Sequence, residues 1–240
     1  MKCAVFGDVH GNFDALQVVL DDIERERPDA IYCVGDLVGY GAEPARCIKA
    51  VAALRCPIVA GNHDYAVAGK TDTSFFNAEA LEAVMWSRLH LPTKDIAFLA
   101  NLKLTGTVEA SLLVHGTPLE PARFDYLLSM SDAERAFEAT EQRVCFVGHS
   151  HIPVTFWRSE EIRYDNAPKL DLSGAHKIII NVGSVGQPRD RDPRAAYALF
   201  DTETRRLEIR RLQYDWESAG TKIIAAGLPA ANAFRLAIGV

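Results

Sequence analysis

The sequence predicts a single α/β domain over residues 1–240, with parallel and antiparallel strands in more than one sheet. In the first third of the chain, continuous apolar segments alternate with amphipathic helical segments, which is typical of β-α-β units with parallel strands. In the second half, strand-like segments follow one another across short polar turns, which indicates antiparallel pairing. No internal repeat, low-complexity tract or linker divides the chain, so one domain accounts for its length.

The first third is predicted to hold three strands and two helices. The apolar segments "CAVFGD", "AIYCVGD" and "CPIVAGN" each end in a polar turn, and each predicts a buried strand. A helix is expected from Phe13 to Arg27, with Asn12 as its N-cap and Pro28 closing it. The segment "EPARCIKAVAAL" predicts the second helix. One face of the first helix carries the apolar residues Leu16, Val19, Leu20 and Ile23.

The remaining two thirds are predicted to mix helices with strand pairs. Two helices are expected between Asn77 and Asn101, broken near Pro92, and two strands around a turn in "LKLTGTVEASLLVHG". A further helix in "SDAERAFEATEQ" has Ser131 as its expected cap, with Glu134 in the capping-box position. Strands are expected in "VCFVGHSH", "KIIINVGSVG", "AAYALFD" and "RLEIRRLQY". The tail is predicted to be helical, with a break at 227–229.

The charge and hydropathy of the chain argue against two classes of partner. The formal net charge is −6 at pH 7. Long nucleic acids reward basic surfaces, so we expect no such partner. A small phosphorylated substrate held by local cations is compatible with this charge. No apolar run approaches the roughly 18 residues of a membrane span, so we expect no membrane partner either.

The cysteines indicate a reducing compartment. Their number is odd, and no two are spaced as C-x-x-C. Most lie in apolar segments, so we expect buried free thiols and a cytoplasmic protein. No signal peptide is visible, because the first strand begins directly after Lys2. The five cysteines are Cys3, Cys33, Cys47, Cys56 and Cys145.

Polar side chains gather at the ends of five predicted strands. Each strand ends in a small residue followed by Asp, Asn or His, and the carboxyl ends of strands in α/β sheets are where ligands bind. A single such residue is more often turn chemistry or a satisfied core side chain. The joint pattern, however, includes five of the seven histidines and therefore predicts one shared site. Its members are Asp8, His10, Asp36, Asn62, His63, His115, His149 and His151.

The chemistry of this set indicates a metal site. Carboxylate, imidazole and amide ligands without thiolates favour Mn²⁺, Fe or Zn²⁺, and so many nitrogen ligands are unsuited to Ca²⁺. Without His63 the set holds seven ligands, which is more than one ion needs. Such a number suits two ions roughly 3.5–4 Å apart that share one carboxylate. The expected cofactors are two divalent metal ions, with Mn²⁺ first and Fe or Zn²⁺ as alternatives.

These motifs resemble those of a known family, the calcineurin-like metallophosphoesterases. Five blocks agree with that family in order and rough spacing: D-x-H, G-D, G-N-H-D, a single His and G-H-S-H. The segments "FNAEALEAVMWSRLHLPTKDIAFLANL", "LLVHGTP" and "NVGSVGQPRD" resemble its small prokaryotic phosphodiesterase branch. The resemblance implies a four-layer α/β/β/α sandwich with two mixed sheets and a two-metal site at the strand ends.

The resemblance also implies a role for each residue of the set. Asp36 would bridge the two ions, and His63 would act beside the leaving-group oxygen as a general acid, with Asn62 and His63 contacting the substrate. The implied reaction is hydrolysis of phosphodiester bonds in a small soluble substrate by a metal-activated hydroxide, with phosphomonoesters as an alternative. Asp8, His10 and His151 would hold the first ion, and Asn62, His115 and His149 the second.

The segment "GDLVGYG" departs from the pattern of the relatives that dephosphorylate proteins, which carry G-D-x-V-D-R-G. Gly39 and Tyr40 stand in the Asp and Arg positions. The Asp that would orient His63 and the Arg that helps to hold a phosphomonoester are therefore missing there, and protein phosphatase activity is not expected. Arg189 in "GQPRD" is expected either to contact a substrate phosphate or to form a structural pair with Asp190.

Other functions stay open on the sequence alone. A hydrolase of dinucleoside polyphosphates is the alternative enzyme, and it would need a pocket for adenine. A non-catalytic scaffold is the alternative from another class, but loss of metal ligands would mark it, and here the whole set is present. The oligomeric state is open, a homo-oligomer included, as is gating of the site by the segment from Tyr65 to Leu99. Packing is expected for the aromatic residues of the middle, with base stacking as an alternative: Phe75, Phe76, Trp86, Phe124 and Tyr126.

Overall fold

A computed structural model describes every residue from Met1 to Val240. Helices alternate with strands at the start of the chain, and strands dominate the second half. The strands are β1 (Lys2–Phe6), β2 (Ala30–Cys33), β3 (Thr105–Val108), β4 (Ser111–Val114), β5 (Val144–Val147), β6 (Val154–Arg158), β7 (Ile162–Asp165), β8 (Lys169–Asp171), β9 (Lys177–Asn181), β10 (Ala195–Asp201) and β11 (Arg206–Leu212). The helices are α1 (Phe13–Glu26), α2 (Pro44–Ala53), α3 (Asn62–Val67), α4 (Ala78–His90), α5 (Thr93–Asn101), α6 (Met130–Glu138), α7 (Trp216–Ala225) and α8 (Ala230–Ile238), with a 3-10 turn at Pro121–Arg123.

The strands form two mixed sheets. The first has five strands in the order β2-β1-β10-β11-β8, with β1 parallel to β2 and antiparallel to β10. The second has six strands in the order β3-β4-β5-β9-β6-β7, and its centre, β4-β5-β9, is parallel. The predicted mixture of parallel and antiparallel pairing in more than one sheet is confirmed.

Three apolar cores separate four layers. On β1, Cys3 and Val5 pack in the core between the sheets, whereas Ala4 and Phe6 pack against the helices, because side chains alternate along a strand. The apolar face of α1 completes the core on the helical side of the first sheet. The third core lies between the second sheet and α6, where Phe137 is buried. The four-layer α/β/β/α sandwich implied by the family resemblance is confirmed.

The helix caps agree with the sequence pattern at α1 and differ from it at α6. The Asn12 side chain accepts a hydrogen bond from the Ala15 backbone N–H at 3.1 Å, as expected of an N-cap. Helix α6 begins earlier than predicted, and Ser129 caps it. The predicted capping box at Ser131 is wrong, because Asp132 accepts the Ser129 N–H at 2.9 Å and completes the box two residues earlier.

The predicted third strand is wrong as a full strand. The segment after Pro57 makes only isolated parallel bridges, Cys33 with Ile58 and Val59 with Lys103. Proline has no N–H to donate, and the chain turns into α3 within a few residues, so no ladder develops. The segment still runs beside β2 and brings α3 to the same sheet edge. The sequence pattern also misses β6, β7 and β8, which are short and partly exposed.

A partly buried ion pair joins α1 to the first sheet. Asp22 accepts hydrogen bonds from Tyr197 Oη at 2.8 Å and from Arg210 Nε and Nη2, both at 3.1 Å. Burial alone would raise the pKa of Asp22, but the hydrogen bonds from Arg210 and Tyr197 outweigh burial and lower it. Every polar oxygen of this carboxylate is therefore paired within the protein.

Two further expectations concern the state of the cysteines and the presence of membrane-spanning helices. All five cysteines are free, and all but the half-buried Cys56 are buried, as predicted. No helix combines the length and the apolar character that crossing a membrane requires.

Candidate active site

The structure brings all the predicted site residues together at one edge of the two sheets. The first sheet contributes Asp8 and His10, which follow β1, and Asp36, which follows β2. Asn62, at the start of α3, is half-buried, and every other member of the set is buried. The remaining residues come from the end of β4, the loop after β5 and the start of α3: His115, His149, His151 and His63.

The turns that carry these side chains are conformationally strained. Five of the predicted metal ligands are non-glycine residues with φ between 50° and 67°. This left-handed region crowds Cβ against the backbone and costs on the order of 1–2 kcal/mol per residue. Such strain clusters at functional sites, where the turn must aim a side chain at a fixed point. The five residues are Asp8, His10, Asp36, His149 and His151.

Two glycines let neighbouring loops approach the carboxylates. A Cβ on Gly61 would lie 1.9 Å from Asp36 Oδ1, and a Cβ on Gly148 would lie 2.3 Å from Asp8 Oδ2. Both distances are far below van der Waals contact, so a larger residue at either position would displace a carboxylate. The N–H of His149 donates to Asp8 Oδ1 and Oδ2 at 3.2 and 3.1 Å, which orients that carboxylate.

His10 and His151 direct their Nε2 atoms at each other. Nδ1 of His10 donates to Val38 O at 3.0 Å, and Nδ1 of His151 donates to Gln187 O at 2.6 Å. The two Nε2 atoms lie 3.0 Å apart. Two neutral rings carry two N–H groups, whereas these three contacts need three. A cation shared by both Nε2 atoms and by Asp8 Oδ1, which is 3.2 Å from His151 Nε2, resolves the conflict.

A second group of ligand atoms surrounds Asp36. Its Oδ1 accepts the His63 backbone N–H at 2.9 Å. Its Oδ2 makes no hydrogen bond of suitable geometry, although His115 Nε2 lies 3.2 Å away. The same Nε2 atom is 3.2 Å from Asn62 Oδ1. A buried carboxylate oxygen without a partner is costly, so Asp36 fits a site that a cation completes.

The residues present therefore fit a two-metal centre. Three triads each have ligand atoms within 4.8 Å of one another, and Asp36 belongs to two of them. Carboxylate and imidazole are suitable ligands for Mn²⁺, Fe and Zn²⁺. The triads are Asp8, His10 and His151; Asp36, His115 and His149; and His10, Asp36 and His63.

Burial and mutual charge decide the protonation of these groups. Burial lowers the pKa of His10 and His149 and brings the pKa of His63 to about 4, so these rings are neutral near pH 7 and free to bind a metal. Burial also opposes a charge on His115, but the Asp36 carboxylate outweighs it and raises the pKa of His115 to about 9. Burial likewise opposes the charge on Asp36, and the imidazoles of His115 and His63 hold its pKa well below 3.8. A proton on His115 thus takes the place of a cation, and we expect metal binding to release it.

His63 borders the ligands, and its Nδ1 atom has no protein partner. Its ring packs 4.7 Å from that of Tyr40. The neighbouring carboxylate of Asp64 points away from the imidazole and accepts the backbone N–H groups of Asp36 and Gly61 at 2.8 and 3.0 Å. Asp64 therefore shapes the turn of Asp36 and does not orient His63.

A cleft of about 600 Å³ opens above the ligands. Phe76 packs on the His63 ring with 5.0 Å between centroids. Tyr126 stacks on the imidazole of His149, with 4.0 Å between centroids and 15° between planes. Phe75 lies at the rim and is 91% exposed. Aromatic side chains thus form part of the wall directly above the ligands.

The aromatic residues of the middle segment separate into two groups. Trp86 lies outside the cleft, where its Nε1–H donates to Ala226 O at 3.0 Å, so it packs as predicted. Phe124 is buried in the cleft wall. Six residues of the segment Tyr65–Leu99, whose gating role the sequence leaves open, line the cleft: Thr71, Asp72, Phe75, Phe76, Asn77 and Ala80.

Arg189 also lines the cleft. Its Nη2 donates to Gln187 Oε1 at 2.9 Å and to Tyr40 Oη at 3.1 Å. The alternative pair of Arg189 with Asp190 does not form, because Asp190 makes its salt bridge with Arg211. The guanidinium therefore keeps its charge beside the predicted metal ligands.

The sequence pattern does not reveal the residues at and after the end of β9 that support the site. Asn181 Nδ2 donates to Gly148 O at 2.7 Å and to Ser150 Oγ at 2.9 Å, which braces the loop of the paired histidines. Ser184 Oγ donates to Asp8 O at 2.8 Å. The segment "NVGSVGQ" gives no periodic signal for these contacts, although its glycines and its position after a buried strand mark it as a turn at the same edge.

Comparison with known proteins identifies the class to which this fold and site belong. Residues 1–205 match the calcineurin-like phosphoesterase superfamily domain. The chain is 37% identical to an uncharacterised protein of Methanocaldococcus jannaschii over 243 residues, which cover 98% of this chain and 97% of that protein. It is 36% identical to a metallophosphoesterase from Sphaerobacter thermophilus of known structure, with a TM-score of 0.88 over 100% of this chain and 99% of the other. A symmetrical bis(5'-nucleosyl)-tetraphosphatase of Glaesserella parasuis is 37% identical over 67 residues, 27% of this chain and 25% of that enzyme.

The fold and the buried cluster of His and Asp side chains define a metallophosphoesterase. The chain belongs to the calcineurin-like phosphoesterase superfamily, whose members hydrolyse phosphoric esters. It is therefore a hydrolase, and its His and Asp groups are able to bind a dinuclear metal centre.

Proposed function

We propose that this protein hydrolyses phosphodiester bonds of a small soluble substrate with two divalent metal ions, Mn²⁺ first, and Fe or Zn²⁺ as alternatives. The observation that carries the proposal is the unpaired Oδ2 of buried Asp36, which lies among imidazole Nε2 atoms of two ligand triads. Such a carboxylate suits a bridge between two cations. Because the triads draw on both sheets, we infer that residues 1–240 act as one domain.

The triad Asp8, His10 and His151 is proposed to hold one ion, and the triad Asp36, His115 and His149 the other, which Asn62 completes. When bound, the two ions supply charge neutralisation at the phosphate and acidify the attacking water. The protein orients these ligands through the Nδ1–H bonds of His10 and His151 to backbone carbonyls. The proposed metal ligands are Asp8, His10 and His151 for one ion; Asn62, His115 and His149 for the other; and Asp36 for both.

His63 is proposed to donate a proton to the departing alkoxide. Its ring lines the cleft, and its Nδ1 atom is buried beside Gly39, which leaves Nε2 as the nitrogen to face a substrate. Burial brings the pKa of His63 to about 4, so the free ring is neutral near pH 7. His63 can donate a proton only when a bound phosphate anion favours its protonated form. Hydrogen bonding of Asn62 and His63 to the phosphate is part of the same proposal, and Arg189 is proposed to contact a non-bridging oxygen.

A second candidate is the hydrolysis of dinucleoside polyphosphates. The similarity of 67 residues of this chain to a symmetrical bis(5'-nucleosyl)-tetraphosphatase supports this candidate. The aromatic wall supports it as well, because Tyr126 and Phe75 keep exposed ring surface beside the ligands and base–aromatic stacking stabilises by about 1–3 kcal/mol per base. The two candidates differ in the bond that is broken, because a phosphodiester is cleaved at a P–O–C ester bond and a dinucleoside polyphosphate at a P–O–P anhydride bond.

The test compares three substrates on metal-stripped protein reloaded with Mn²⁺. Bis-p-nitrophenyl phosphate, p-nitrophenyl phosphate and diadenosine tetraphosphate represent the diester, the monoester and the dinucleoside polyphosphate. We expect metal-dependent turnover that is faster on the diester than on the monoester. Faster turnover of diadenosine tetraphosphate than of both would favour the second candidate. Turnover of the monoester alone would contradict the proposal.

A further inference from the structure

Tyr40 lies between the predicted metal ligands and Arg189. Its side chain is 5% exposed, and its ring lies 4.7 Å from those of His10 and His63. Its hydroxyl accepts a hydrogen bond from Arg189 Nη2 at 3.1 Å. The backbone N–H of Arg189 donates to His151 O at 3.2 Å. Both ends of Arg189 are thus attached to residues that contact or belong to the candidate metal centre.

Arg189 has no carboxylate partner, although acidic residues follow it directly. Asp190 and Asp192 form salt bridges with other arginines of the chain. The Arg189 guanidinium donates hydrogen bonds to two neutral oxygens, those of Gln187 and Tyr40, and its central carbon lies 5.5 Å from the centroid of the Tyr40 ring. A guanidinium that is oriented but not neutralised retains its charge and several N–H donors for an anion. It therefore suits a phosphate oxygen placed in the cleft.

We propose that Tyr40 is a positioning residue that holds Arg189 as the phosphate-binding cation of this site. The inference rests on the proposed function. Tyr40 stands where the protein phosphatase pattern G-D-x-V-D-R-G has its Arg, in the turn after β2. In this chain the cation comes instead from the loop after β9, and the Tyr40 hydroxyl sets its direction. The effect of Tyr40 on substrate binding is therefore exerted through Arg189.

The variant Tyr40→Phe tests this with the smallest change, because the ring that packs on His10 and His63 remains. In Mn²⁺-loaded protein, calorimetry measures the Kd of inorganic phosphate, and kinetics measure KM and kcat for bis-p-nitrophenyl phosphate. We expect Kd and KM to rise about tenfold, with kcat within about threefold of wild type. Arg189→Ala raises both further, and Tyr40→Phe adds nothing in that background, because the two residues act as a unit.

Two more variants separate positioning from general damage. Tyr197→Phe also removes a buried tyrosine hydroxyl, but one bonded to Asp22 away from the cleft, and it leaves Kd and KM unchanged. Arg189→Lys retains the charge but not the guanidinium that donates to Tyr40 and Gln187. We expect it to raise Kd and KM as much as Tyr40→Phe does, and it replaces Tyr40→Phe in the test if that variant does not fold.

Unchanged phosphate affinity in folded Tyr40→Phe, or an undiminished effect of Tyr40→Phe in the Arg189→Ala background, overturns the inference. Both results presuppose a wild-type protein with metal-dependent diester turnover. Absence of that turnover contradicts the proposed function instead, so the two failures are distinguishable.

Discussion

Two buried aspartates, Asp22 and Asp36, show opposite ways of accommodating a carboxylate. Asp22 is 5% exposed, and both its oxygens accept hydrogen bonds from Tyr197 and Arg210. Asp36 is 1% exposed, but it has left-handed backbone, φ 53°, and one oxygen without a hydrogen bond. The first carboxylate is completed by the protein. The second faces imidazoles that a bound cation would share with it, and a protonated His115 takes the place of that cation in the metal-free protein.

The difference shows how stability and function are distributed in this fold. At Asp22 the charge is neutralised within the chain, so the pair contributes to folding. At Asp36 burial and backbone strain oppose folding, and the protonated His115 offsets the charge in the metal-free protein. The strained turn among imidazoles is explained by the cation that these rings would share with Asp36. The same substitution at the two positions is therefore expected to have opposite consequences for activity.

Asp36→Asn is expected to have the largest effect on activity. The amide cannot bridge two cations, so diester turnover is abolished. The unfolding free energy of the metal-free protein also falls at pH 7, because His115 and His63 hold the pKa of Asp36 well below 3.8 in the fold and removing one member of a buried pair leaves its partner uncompensated. Activity assays and chemical unfolding in the presence of a chelator measure both. Retained turnover would remove Asp36 from the site.

His63→Ala is expected to reduce kcat by about 10²–10⁴-fold if His63 is the general acid. The loss should be smallest for diesters with good leaving groups, since these need no proton, and largest for alkyl leaving groups. A series of aryl and alkyl diesters of graded leaving-group pKa measures the slope. An equal loss across the series would assign His63 to phosphate binding alone.

Asp22→Asn is expected to lower stability without the loss of activity that Asp36→Asn causes. Loss of the charge weakens the hydrogen bonds from Arg210 and Tyr197, and the unfolding free energy falls by about 2–3 kcal/mol. Because this pair lies away from the cleft, kcat and KM for the diester stay within about twofold of wild type. Urea unfolding and steady-state kinetics on the same preparation provide the comparison. A large kinetic defect in the folded variant would break the proposed division between the two regions.

The pH dependence of stability sharpens the same comparison. The folded-state pKa of Asp22 is below its usual value of 3.8, so Asp22 stabilises the fold above that pH. This contribution is lost as the pH falls below about 4 towards the folded-state pKa. Unfolding free energies of wild type and Asp22→Asn, measured with a chelator from pH 6 to pH 2.5, should converge at the acid end. A constant difference across that range would mean that the Asp22 charge is not involved.

The smallest expected effect concerns the C-terminal end of α8, which contacts the loop of Arg189. Gly239 has φ 63°, and a Cβ there would lie 2.7 Å from the Asp192 carbonyl carbon. Gly227 has φ 73° and nothing within 4 Å of such a Cβ, so it is a matched control. Gly227→Ala should cost about 1 kcal/mol of stability through backbone strain alone. Gly239→Ala should lower stability by more than this and raise KM for the diester, because it displaces the loop of Arg189. Identical KM values for the two variants would show that the end of α8 does not affect the position of that loop.

The sequence predicted most of the layers because their signals are local and periodic. The alternation in β1 places Cys3 and Val5 on one face, and a buried strand followed by Asp or His leads to each ligand. The strand expected before Asn62 failed because Pro57 and an early helix leave too few residues for pairing. The cap of α6 was misplaced because Ser129 and Ser131 both precede acidic residues, and only the side-chain geometry distinguishes them.

The supporting contacts of the site depend on long-range geometry and were not predictable. Asp64 is next to His63 in sequence, yet its carboxylate faces the Asp36 turn, and no periodicity indicates this direction. Tyr40 was visible only as a departure from the family pattern. Its contact with Arg189 joins residues 149 positions apart, which only the packing of the two sheets brings together.

The central claim is that Asp36 completes a two-metal centre, and equilibrium Mn²⁺ binding tests it most directly. Metal-stripped wild type and Asp36→Asn are titrated with Mn²⁺ by calorimetry, with free Mn²⁺ followed by paramagnetic resonance and Asp22→Asn as the control. We predict two Mn²⁺ ions per wild-type or Asp22→Asn chain, and at least one site weakened or lost in Asp36→Asn. One ion or none per wild-type chain, or two ions bound with unchanged affinity in Asp36→Asn, would contradict the account.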